Sequence, residues 1–135
     1  MKKPHNVIII GDLIIDRYIS GVVDRISPES PVPVLDQKKD EYRLGGAANV
    51  AMNLKNLNCK ITLVAMVGND NTGTKAIQLL NEACIDTSFL VLDENRKTTL
   101  KTRVLAKNQQ LLRIDYEDTH QMSSTRSDKV CQKLM

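Results

Sequence analysis

The chain has 135 residues, 41% of them hydrophobic, enough for one domain with a real core. Charged residues make up 26% and leave a net charge of +3, too slight an excess for a nucleic-acid surface. The aromatic residues are Tyr18, Tyr42, Phe89 and Tyr116, too sparse for a base-stacking platform.

Lys2 and Lys3 precede the apolar run Val7–Ile10, but four apolar residues ending at Gly11-Asp12 are too short for a secretion signal. That run predicts a strand buried on both faces. Strands are expected next over 17–21 and 32–42, separated by the turn-forming Ser27-Pro28-Glu29-Ser30-Pro31. A helix follows over 47–57, with Ala47, Val50, Ala51, Leu54 and Leu57 on its inner face. The run 61–67 predicts a second buried strand. A second helix over 72–83 buries Ala76, Leu79, Leu80 and Ala83. Further strands are expected over 87–92, 98–106 and 111–115, the last two amphipathic, and a final helix over 123–135. Alternating strands and helices imply parallel βαβ units, an α/β fold. The polar stretches 17–42 and 98–115 suit a small second sheet, a lid projecting from the core. The last helix has no stop signal, so the chain is expected to be the N-terminal part of something larger.

Cys59, Cys84 and Cys131 are odd in number and contain no CxxC pair, which argues against a disulfide framework or zinc site. Small buried hydrophobes in a reducing cytosol are expected, and the chain is placed in the cytoplasm. His5 and His120 are too isolated for a metal cluster, and no run approaches a membrane span. No resident metal is expected in this chain.

Two glycine turns precede helices. Gly68 to Lys75 almost spells a phosphate-binding loop, but Thr74 and Lys75 stand in reversed order, and an aspartate- or asparagine-capped turn is expected. Gly45-Gly46-Ala47-Ala48 lacks the dinucleotide-binding spacing. It does bring backbone close to a ligand at a helix N-terminus, with Asn49 one turn in. A tight turn with Asn49 facing solvent fits the same residues. Asp12 and Asp16 follow the first strand, where ligands of parallel α/β folds sit, and two carboxylates there can accept from sugar hydroxyls.

The stretches GDLIIDRY (11–18), RISPESPVPV (25–34), RLGGAANVAMNL (43–54) and KTRVLAKNQQLLRIDYED (101–118) occur in that order. Together they resemble the N-terminal half of the ribokinase/phosphofructokinase-B sugar kinases, most closely the heptose 7-phosphate kinase branch, which also occurs fused to a nucleotidyltransferase. The resemblance implies a three-layer α/β/α core with a β lid, and a homodimer. It implies sugar contacts at Asp12, Asp16, Gly45, Gly46 and Asn49. It further implies transfer of the ATP γ-phosphate, with magnesium, to the anomeric hydroxyl of D-glycero-β-D-manno-heptose 7-phosphate, on the route to ADP-heptose and lipopolysaccharide core. Another sugar or nucleoside kinase of this fold, or a non-catalytic sugar-phosphate or dimerisation module, shares these features.

A 7-phosphate requires cations, and Arg43, Lys101, Arg103 and Arg113 are the candidates, though each taken singly reads first as a solvated strand-face charge. Asn108 opens either a hydroxyl-reading loop or a polar hairpin turn. The family's Gly-Ala-Gly-Asp turn, carrying the anion hole and the base, does not occur in these residues. The chain is therefore expected to be the sugar-binding half, with no catalytic base and no turnover of its own.

Overall fold

The computed structural model describes residues 4–119 and 124–132. β1 (Asn6–Ile10) forms where four consecutive apolar residues favour extended backbone, and it pairs in parallel with β4 (Lys60–Val64), Val7 opposite Ile61. Between them the chain inserts a long hairpin, β2 (Leu13–Ile26) and β3 (Pro33–Gly45), and helix α1 (Gly46–Asn56). β5 (Met66–Gly68) then leads through α2 (Asn71–Glu82) to its parallel partner β6 (Val91–Asp93). The single strand expected over 61–67 is thus broken at Ala65. There the run changes partner, from β1 to β6, and the Ala65 carbonyl accepts from the Val91 amide at 2.9 Å.

β7 (Thr99–Ala106) and β8 (Gln109–Tyr116) complete a four-stranded sheet of order β3-β2-β7-β8. β2 runs antiparallel to β3 and parallel to β7, which returns through a tight hairpin to β8. The hairpin strands are longer than expected. The charged positions of β2 and β3 pair across the sheet instead of ending it, as Arg17 does in binding both carboxylate oxygens of Asp40 at 2.9 and 2.6 Å. The strand expected over 87–92 shrinks to 91–93. Asp86 accepts from the Ser88 amide and hydroxyl at 2.9 and 2.8 Å, and these bonds favour a turn over extension.

The core is built from Leu13, Ile15, Ala48, Leu63, Val67 and Leu80 with their neighbours. Full burial of side chains such as Ile15, Leu63 or Leu80 stabilises by roughly 1.5–3 kcal/mol each. α1 meets this core through Ala51 and Ala47 of the expected face and through Ala48 beside them, while Val50, 47% exposed, and Leu57, 73% exposed, stay outside it. These alanines let the helix backbone close on the sheet, which turns the larger side chains outward. α2 buries Ala76 and Leu80 as expected, with Leu79 and Ala83 packed beside them.

Three expectations of burial fail. In β1 only Ile9 packs on the core, while Ile8 and Ile10 are each 60% exposed, because nothing among the described residues covers their face. β8 is exposed along its whole length, being the open edge of its sheet. Cys59 is half-buried, and Cys84 and Cys131 are exposed; Cys84 sits at φ 51 in the turn that ends α2. α3 (Ser124–Gln132) falls within the expected final helix, whose residues 123 and 133–135 lie outside the described residues, as does His120. Among the described residues no helix is long and apolar enough to cross a membrane.

Candidate sugar-phosphate site

The end of β3 and the start of β2 are adjacent, with Ile14 paired to Gly45 and Leu13 bridged to Gly46. This pairing brings Asp12, Asp16, Gly45 and Gly46 into one corner beyond the carboxyl end of β1. Gly46 has φ +53, the left-handed region that glycine enters without penalty. A β-carbon there would also collide with the Asp12 carbonyl oxygen. That carbonyl accepts from the Ala47 amide at 3.0 Å and so fixes the turn. At Gly45 the backbone is extended, but a β-carbon would stand 2.5 Å from Asp16 Oδ2. The two glycines thus let the backbone approach two aspartates, each through a different contact.

α1 starts at this corner with no side-chain cap and no acidic residue in its first turn. Its positive end faces the aspartates, so amide donors and carboxylate acceptors are side by side. Such a pair can read hydroxyl groups, which both donate and accept. Asp12 is exposed, and its carboxylate makes no hydrogen bond among the described residues. Asn49 is exposed one turn into α1, where its side chain bonds to neither aspartate. It opens on a cleft of about 520 Å³ shared with Arg43, Met52, Asn53 and Glu82.

Alternation along the strands places Asp16 and Tyr18 of β2, Arg43 and Glu41 of β3, Lys101 and Arg103 of β7, and Arg113 and Asp115 of β8 on one sheet face. Arg103 Nη1 donates to Asp16 Oδ1, and that bond raises the guanidinium pKa against the opposing effect of burial. For Lys101 burial works downward, but bonds to Glu117 at 3.2 Å and Asp115 at 3.3 Å carry its pKa up. Arg113 Nε meets Asp115 at 3.0 Å. Arg43 meets Glu41 at 2.9 Å through an exposed contact between neighbours on one strand.

Asn108 lies elsewhere. It sits in the β7–β8 hairpin turn, beside Lys107, whose amide donates to the Gly21 carbonyl at 3.2 Å. Gly21 is five residues beyond Asp16 on β2, about 17 Å away at the rise of a strand. The sequence reading also passed over Tyr18. The signal for it is the period-2 placement of one aromatic among the charges of β2 and β7.

The second glycine turn is not a phosphate cradle. Asp70 caps α2 by accepting from the Gly73 amide at 2.7 Å, and its other oxygen accepts from the Thr98 amide at 2.8 Å. The Gly68 amide donates to Thr98 Oγ1 at 2.8 Å. The donors that would grip a triphosphate are therefore bonded internally. Among the described residues no three His, Cys, Asp or Glu side chains converge as a metal site would require. Among the described residues the second glycine turn therefore offers no open cradle for the phosphates of ATP.

Residues 4–134 match the family model described as pfkB family carbohydrate kinase. The chain is 51% identical over 117 residues to the bifunctional protein HldE of Helicobacter pylori strain J99, covering 87% of this chain and 25% of that protein. It is 42% identical over 129 residues to the bifunctional protein HldE of Geobacter sulfurreducens, covering 96% and 26% respectively. It thus spans about a quarter of the length of these relatives. Among solved structures it resembles a carbohydrate kinase from Agrobacterium tumefaciens, with TM-score 0.65, 19% identity, and coverage of 83% of this chain and 35% of that one. It also resembles a sugar kinase from Pyrococcus horikoshii in complex with ATP, with TM-score 0.57, 29% identity, and coverage of 82% and 34%. With its ribokinase-like α/β fold and its family match over almost its whole length, the chain belongs to the pfkB family of carbohydrate kinases.

Proposed function

We propose that this chain supplies the sugar-binding half of an ATP-dependent kinase acting on D-glycero-β-D-manno-heptose 7-phosphate. The reaction places the γ-phosphate on the anomeric hydroxyl and gives the 1,7-bisphosphate, in the cytoplasm, on the route to ADP-heptose and lipopolysaccharide core. The observation that carries this reading is the corner where Gly45 and Gly46 press backbone against Asp16 and Asp12. Asp12 and Asp16 accept from sugar hydroxyls there, the first amides of α1 donate to them, and Asn49 reads a further hydroxyl at the edge. The four-stranded sheet acts as the lid over the sugar.

The heptose assignment is supported by the stretches RISPESPVPV and NQQLLR, which resemble the heptose branch. Relatives named as bifunctional proteins support a longer protein with a second, nucleotidyltransferase domain. A relative solved with ATP supports ATP as phosphoryl donor, and magnesium accompanies it in this reading. The anion hole and base belong to residues other than these, since no Gly-Ala-Gly-Asp turn occurs in the chain. The homodimer is part of the same reading, supported by the unpaired edge strand β8.

The test follows phosphorus signals when ATP, magnesium and heptose 7-phosphate are mixed with this chain or with a longer protein that contains it. The chain alone is expected to give no bisphosphate, and the longer protein to give it. Asp16→Ala in the longer protein raises the sugar KM and leaves the ATP KM unchanged. Turnover by the chain alone, abolished by Asp16→Ala, would place the catalytic machinery in these residues and overturn the reading.

A further inference from the structure

One aromatic ring joins two of the cations on the Asp16 face. Tyr18 stands opposite Arg103 on β7 and opposite Glu41 on β3, one pleat from Arg43. The Arg43 guanidinium carbon is 4.7 Å from the centre of the Tyr18 ring, and that of Arg103 is 5.3 Å away. The negative ring face attracts both guanidiniums and holds two like charges near one another. Their other contacts leave capacity to spare. Asp16 takes one of the five N–H donors of Arg103, and the Arg43–Glu41 pair is exposed and easily exchanged, with Arg43 62% exposed. Lys101, by contrast, is flanked by two carboxylates, and Arg113 shares one of them. An added dianion would be repelled there and drawn to the two guanidiniums beside Tyr18.

We propose that Tyr18 is a positioning residue that holds Arg43 and Arg103 as a paired guanidinium clamp for the phosphate of a phosphorylated sugar. The proposal rests on the sugar-binding reading above and states where the phosphate lies. From Asp16 to Tyr18 is two residues, about 7 Å along the strand, which suits a sugar with hydroxyls at one end and an exocyclic phosphate at the other. Two forked guanidiniums match the oxygens of a phosphate monoester better than an ammonium does.

The experiment titrates the 135-residue chain, with folding checked by circular dichroism, against heptose 7-phosphate, the unphosphorylated heptose and inorganic phosphate. Wild type is expected to prefer the phosphorylated sugar by at least about tenfold, since one charge-assisted hydrogen bond contributes that much. Arg43→Gln and Tyr18→Leu each remove most of the preference without changing affinity for the unphosphorylated heptose. Tyr18→Phe, which keeps the ring, restores it, and Lys101→Gln leaves it intact. A preference that survives Arg43→Gln and Tyr18→Leu, or is lost in Lys101→Gln, overturns the clamp while the sugar-binding reading stands. Binding of neither sugar overturns both.

Discussion

Alanine at Gly46 and alanine at Gly45 are predicted to fail in different ways. At Gly46 the backbone is at φ +53, where a side chain costs about 1–2 kcal/mol. The new β-carbon also meets the Asp12 carbonyl oxygen, which must move and lengthen its bond from the Ala47 amide. Weakening that bond costs up to about 1 kcal/mol more. Gly46→Ala is therefore expected to destabilise the chain by about 1–3 kcal/mol. At Gly45 the backbone is extended and unstrained, and the nearest atom is Asp16 Oδ2, at the end of a side chain whose other oxygen accepts from Arg103. Gly45→Ala should cost less than about 1 kcal/mol of stability and act by displacing Asp16 from the sugar. Urea unfolding followed by circular dichroism reads both, through a lower midpoint at unchanged slope. A Gly46→Ala variant within about 0.5 kcal/mol of wild type would refute the strained-turn geometry.

Three further outcomes follow from the same structure. Asp70→Ala removes the α2 cap and the bond to the Thr98 amide together, and is expected to cost about 2–4 kcal/mol in urea unfolding. A loss below about 1 kcal/mol would show that Asp70 does not tie α2 to the approach to β7. The hydrogen bond from Arg17, opposed by desolvation, lowers the Asp40 pKa below its usual 3.8. Its contribution is therefore present above that pH and lost as pH falls through the lowered folded value. Asp40→Asn should cost about 0.5–1 kcal/mol at pH 7, with the gap to wild type closing below about pH 4. The paired change Ile8→Thr and Ile10→Thr, on the open face of β1, should lower self-association in sedimentation velocity with little loss of stability. Unchanged association would show that another surface is responsible.

The sequence was most legible where one pattern allowed one structure. The run Val7–Ile10, the two helices and the Asp70 cap all emerge where composition and punctuation point. It misled where small residues decide packing. Periodicity placed Ala51 correctly but also Val50 and Leu57, which stay exposed, and it left out Ala48, whose small side chain allows the close approach. The break at Ala65 was invisible, since a change of partner leaves no mark in an apolar run. The turn at 86–90 was written in Asp86 and Ser88 and outvoted by the apolar residues after them. At the candidate site the glycines and aspartates were named from their chemistry and from the family resemblance, and strand pairing brings them to one corner. The surroundings of the cations were not legible, because Tyr18 reaches Arg43 and Arg103, and Asp115 reaches Lys101, from other strands.

Which glycine turn meets the ligand is the central claim, and amide NMR of the chain during titration with heptose 7-phosphate tests it most directly. The account predicts shifts at Asp16 and across Gly45 to Asn49, with the amides of Gly68 and Gly73, already bonded to Thr98 and Asp70, unmoved. Shifts confined to the turn from Gly68 to Lys75, with Gly45 and Gly46 silent, would contradict it.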